Sequence, residues 1–141
     1  APHFYRNMLA AFVDLVETGT TMIVSTHLMD EAERCHRIAI LDHGQKRADG
    51  TPRDLMERVA GRVFEVSGPH LRPISRTLAK GQDILSVSQI GARLRVLVSE
   101  KADNPQHAVD AALREVADVT IQPTRPNLED VFVLATREPA V

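Results

Sequence analysis

Apolar positions along the chain fall into two rhythms. In the first part, Phe4, Met8, Ala11, Phe12, Leu15 and Val16 recur at helical spacing, and Gly19 stands where a helix would end. Thr20 to Ser25 follows, carrying the unbroken apolar run Met22-Ile23-Val24. A short run apolar on both faces predicts a buried parallel strand. After Thr26 and His27, residues Leu28 to Cys35 predict one or two helical turns. Asp30, Glu31 and Glu33 near their start suit the positive end of a helix dipole. Ile38-Ala39-Ile40-Leu41 predicts a second buried strand. Asp42-His43-Gly44-Gln45 then predicts a tight hairpin turn into a short edge strand through Ala48. Thr51 and Pro52 supply an N-cap and a proline at the first helical position, for a helix that runs to Val59 and ends at Gly61.

The second part alternates differently. Arg62 to Val66 predicts a strand, Leu71 to Leu78 a helix and Ile84 to Ile90 a strand. In Arg93 to Val98, Leu94, Val96 and Val98 point inward. Asn104-Pro105 caps a helix with the apolar face Ala108, Val109, Ala112, Leu113 and Val116. Val119 to Gln122 predicts a last strand, and Asn127 caps a final helix through Ala135. The order β-α-β-β-α-β plus one helix is the ferredoxin-like pattern. The expected organisation is α/β in two pieces. Residues 1–61 form a fragment of an α/β unit, and residues 62–141 a small complete sandwich.

Composition narrows the function. Hydrophobic residues make up 43% and charged residues 26%, which is too apolar for disorder. No apolar run approaches the roughly 20 residues that cross a bilayer. No basic segment followed by an apolar one opens the chain, so no secretory signal is expected. A lone Cys35 fits a reducing compartment, and a cytoplasmic, soluble protein is the expectation. The formal net charge of −2 gives no basic surface for phosphates, so no nucleic-acid partner is expected.

The chemistry-bearing stretch is Ser25-Thr26-His27-Leu28-Met29-Asp30-Glu31-Ala32-Glu33-Arg34-Cys35. A histidine directly after a buried strand sits at the carboxyl edge of a sheet, where ligands bind in open α/β folds. Its imidazole can donate to a phosphate oxygen or orient a water. On position alone, a histidine at a helix start is more often a capping or surface residue.

Ser25 to Gly50, STHLMDEAERCHRIAILDHGQKRADG, resembles the H-loop region of ABC-transporter ATP-binding subunits, most of all the drug-exporter and ABC-2 type branch. Thr51-Pro52-Arg53-Asp54-Leu55 continues the likeness. Asn127-Leu128-Glu129-Asp130-Val131-Phe132 resembles the LEDVF segment that closes the accessory C-terminal domain of that branch. The resemblance implies that residues 1–61 are the C-terminal part of a P-loop NTPase domain and residues 62–141 the accessory domain. It implies that His27 is the H-loop switch, contacting the γ-phosphate of ATP, with Mg²⁺ as the accompanying ion. It further implies a second ATP-binding subunit and a membrane permease as partners, a cytoplasmic position against the inner face of the membrane, and export of a drug-like or lipid-like substrate. In the family the phosphate loop, the LSGGQ signature and the Asp-Glu strand precede the H-loop, and none occurs here. Pro2 falls at the spacing of the proline ending the D-loop, and Ala1 where that loop has aspartate. The expectation is a chain that begins within the D-loop, hydrolyses no ATP by itself, holds no cofactor and self-associates through its exposed strands.

Other candidates are weaker. His27, Asp30 and Glu31 at i, i+3 and i+4 suggest a metal set, but only three ligands on one turn, and the resemblance accounts for all three without metal. His36, His43, His70 and His107 read as surface residues, and Cys35 as a small core residue. Arg93 and Arg95, on the polar face of a strand, read as solvated, with an anion site as the alternative. The rival functions are a stand-alone ferredoxin-like regulatory module that binds a small molecule, and a metal-dependent hydrolase built on His27.

Overall fold

In the computed structural model, residues 2–138 are described, and Ala1, with its D-loop reading, lies outside them. The chain runs α1 (Pro2–Glu17), α2 (Met29–Ala32), β1 (Ile38–Asp42), β2 (Gln45–Gly50), α3 (Pro52–Glu57), β3 (Val63–Ser67), α4 (Leu71–Ala79), β4 (Ile84–Ile90), β5 (Arg93–Val98), α5 (Pro105–Ala112), β6 (Thr120–Pro123) and α6 (Leu128–Arg137).

Local chemistry sets these boundaries. The α1 helix stops where Gly19 takes φ +98°, with its amide donating to Val16 O at 3.0 Å. His43 and Gly44, at φ +50° and +73°, form the tight turn between β1 and β2, a geometry that matches the twist of paired strands. Thr51 Oγ1 accepts from the Asp54 amide at 3.1 Å, and Asn104 Oδ1 from the His107 amide at 3.1 Å. Asn127 and Asp130 complete a reciprocal capping box at the head of α6.

Strands β4, β5, β3 and β6 form one sheet in that order, every neighbouring pair antiparallel. With α4 and α5 between the strands in sequence, this is the ferredoxin-like topology. The sheet is covered on both faces. On one, Phe64, Val66, Leu94, Val96 and Val98 pack against Ile74 and Leu78 of α4 and Val109 of α5. On the other, Val63 and Leu97 pack against Leu128, Val131, Leu134 and Ala135 of α6, joined by Ile40 of β1 and by Leu55 and Val59 from α3 and the turn after it. This second cluster runs across Gly61. Burying each Leu or Val in it contributes on the order of 2 kcal/mol.

Three expectations about the first part need correction. Met22-Ile23-Val24 forms no strand: residues 20–26 run without regular structure, and Ile23 is 97% exposed. An apolar run becomes a strand only with a partner to satisfy its amides and carbonyls, and the described residues bring none beside it. Ile38 to Leu41 does form a strand, but it is not buried on both faces. Among the described residues it pairs with β2 alone, antiparallel, so Ile40 is buried while Leu41 stays 68% exposed. The strand after the turn extends to Gly50 rather than ending at Ala48.

Candidate functional site

His27 sits on a bend between the extended run 20–26 and α2, with its side chain exposed. The backbone there is shaped locally. Thr26 Oγ1 accepts from the Leu28 amide at 3.0 Å, a side-chain turn that reverses the chain around His27. Leu28 is the N-cap of α2 and makes no side-chain cap bond, while Asp30 and Glu31 stand in the first turn, at the positive end of the helix as expected.

Glu31 turns toward α1, where the Tyr5 hydroxyl donates to its Oε1. Its carboxyl is held below the ordinary carboxylate range, first by hydrogen bonding from the Thr26 hydroxyl, then from Tyr5, with the cationic form of His27 adding attraction. Tyr5 shifts the other way. Its hydroxyl is raised, chiefly because ionisation would forfeit the bond to Glu31 and set two negative charges side by side. The Tyr5–Glu31 bond therefore links α1 to the short helix that follows the His27 turn.

Among the described residues, no three His, Cys, Asp or Glu side chains group as metal ligands, so His27, Asp30 and Glu31 do not converge. His36, His43, His70 and His107 are exposed, and His43 Nδ1 lies 3.0 Å from Asp42 Oδ1. Cys35 is half-buried and belongs to neither apolar cluster, contrary to the core reading; its Sγ lies 3.7 Å from Glu31 O.

Of the β5 arginines, Arg93 is solvated as expected, its side chain 61% exposed, whereas Arg95 departs from expectation. Arg95 is not solvated. Its Nε and Nη2 donate to Asp130 at 3.1 and 2.7 Å, and Nη2 also donates to Arg125 O at 2.7 Å. It faces outward from the α4–α5 side, as alternation requires, but α6 lies across that face and supplies a carboxylate. Arg93 donates to Glu65 Oε2 at 2.7 Å and lines a shallow polar niche with Ser67, Thr120 and Gln122.

Sequence reasoning missed Tyr5 and Arg95 as partners because Glu31 and Asp130 lie 26 and 35 residues away, beyond any local pattern. The Asn127-x-x-Asp130 spacing did carry a signal, the reciprocal cap.

No protein-family model matches the chain. It is similar to the Nod factor export ATP-binding protein I of Rhizobium etli, 34% identical over 137 residues, which is 96% of this chain and 41% of that protein. The same-named protein of Burkholderia thailandensis is 36% identical over 124 residues, 86% of this chain and 38% of its own length. That of Rhizobium leguminosarum bv. viciae is 32% identical over 137 residues. The chain thus spans about two fifths of the curated relatives it matches. Continuous likeness across both the His27 segment and the ferredoxin-like sheet, with a fold that fits, puts the chain in the family of ABC-transporter ATP-binding subunits.

Proposed function

We propose that the chain is the C-terminal portion of a subunit that hydrolyses ATP, with Mg²⁺, to drive export through a membrane permease. In this reading residues 1–61 complete a nucleotide-binding domain and residues 62–141 are an accessory domain acting where two ATP-binding subunits meet. His27 is the residue that touches the γ-phosphate. The observation that carries this is its exposed imidazole on the turn between the apolar run 20–26 and α2, in a segment matched to ATP-binding relatives. The same relatives, named for Nod factor export, favour an outward-moving substrate, for which a drug-like or lipid-like compound is the class proposed. The subunit sits at the cytoplasmic face of the membrane through its permease, and no helix among the described residues is itself long and apolar enough to cross.

Phosphoryl transfer relies on positioning and charge stabilisation, so one well-placed imidazole matters without acting as a base. In the intact subunit, His27→Ala should leave ATP affinity nearly unchanged and lower turnover by about ten-fold or more. Equal turnover in variant and parent would reduce His27 to a surface residue.

A further inference from the structure

Among the described residues, no hydrogen bond holds the imidazole of His27, yet the turn that carries it is tied down on both sides. Before it, Thr26 Oγ1 accepts from the Leu28 amide at 3.0 Å. After it, Glu31 lies one helical turn along and receives the Tyr5 hydroxyl from α1. Residues 20–26, by contrast, have no strand partner among the described residues, so the fixed point for this turn is α1.

We propose that Tyr5 and Glu31 are positioning residues for His27: the α1 hydroxyl anchors the first turn of α2 and so fixes where the imidazole stands. This rests on the reading of His27 as the phosphate-contacting residue, and adds to it a device located on a different helix. The arrangement is specific. A phenol hydroxyl donates one bond of fixed reach from a rigid ring, whereas a lysine in its place would bring a flexible point charge. The surrounding charges support a neutral phenol facing an ionised carboxylate. Asp30 and Glu31 both raise Tyr5, Arg34 alone opposes them, and Thr26 and His27 hold Glu31 ionised. Tyr5 touches no substrate in this scheme and acts only through the placement of His27.

The chain offers a clean probe, because it contains one tyrosine and no tryptophan. Phenolate absorbance in the 141-residue chain therefore reports Tyr5 alone. Its midpoint should lie above the ordinary value and fall toward it in Glu31→Gln. In the same chain, Tyr5→Phe should lower the ¹⁵N heteronuclear NOE of Thr26, His27 and Leu28 while leaving β3 and β5 unchanged. A tyrosine that ionises at its ordinary pH whatever stands at position 31, or an NOE at His27 indifferent to Tyr5→Phe, overturns the proposal. Kinetics of the intact subunit separate it from the phosphate reading. Tyr5→Phe should reduce kcat by about three- to ten-fold with KM for ATP little changed, and cause no further loss in a His27→Ala background. Full additivity of the two losses overturns the positioning role. Unimpaired His27→Ala sinks the phosphate reading instead, and the absorbance and NOE results then decide the anchor alone.

Discussion

Arg95 and Asp130 grip each other at two points across the gap between β5 and α6, Nε to Oδ1 at 3.1 Å and Nη2 to Oδ2 at 2.7 Å. Asp130 does this while its Oδ2 also accepts from the Asn127 amide at 2.7 Å, so one carboxylate starts the helix and docks it. With Asp130 only 7% exposed, neither role is easily replaced by water.

Asp130→Ala should therefore cost about 3 kcal/mol, because it strands a guanidinium and opens the helix cap together. Arg95→Met should cost less, since Asp130 keeps its backbone partner. Urea denaturation of the two single variants and the double one should show the losses to be non-additive. Full additivity would mean the fork contributes nothing as a pair.

The contact between Tyr5 and Glu31 should have a pH window. Glu31 is lowered from 4.5, so its contribution is present above that value and fades as pH falls through the lower folded value. Tyr5 is raised from 10.0, so its contribution is present below that value and fades as pH rises through the higher folded one. Tyrosine emission should be flat between these limits and change at both ends. A single change at the alkaline end only would leave Glu31 out of the contact.

Leu55 lies in α3 yet shares its apolar cluster with Val63, Leu97 and Leu134. Leu55→Ala should cost about 2–4 kcal/mol, and probes in α3 and in the four-stranded sheet should lose structure in one transition. Separate transitions would show that residues before Gly61 stand on a core of their own.

Ile23 at 97% exposure, with Val24 and Leu28 each at 46%, leaves an apolar strip along an unpaired backbone. Such strips seek strands and apolar surfaces on other copies. The chain should self-associate at tens of micromolar by light scattering, and Ile23→Lys should shift it toward monomer. A parent chain that is already a compact monomer would defeat this.

Much of the architecture was legible because it is set locally. Thr51, Asn104 and Asn127 cap helices that begin where they predict, and the alternation of Leu94, Val96 and Val98 gives both the strand and its inner face. What escaped depends on distant residues. Leu97 breaks that alternation because α6 covers the opposite face with Leu128 and Leu134, and the same helix converts Arg95 from a surface charge into a half of an ion pair. Met22-Ile23-Val24 fails in the reverse sense, since its pattern encodes burial that the described residues do not provide. The His27 segment stood out through its motif, whereas the bond between Tyr5 and Glu31 did not, because a helix face carries no mark of what will meet it.

Strand β5 is flanked by β4 and β3 and carries buried side chains on both faces. Its amides can reach solvent only after two layers have parted, which makes them the slowest clocks in the molecule for deuterium uptake. The turn at His27 waits on less, because only local bonds such as that of the Leu28 amide to Thr26 Oγ1 must open there. Time in this chain should therefore be graded, from a centre that opens with the whole fold to a surface turn paced by its own few bonds.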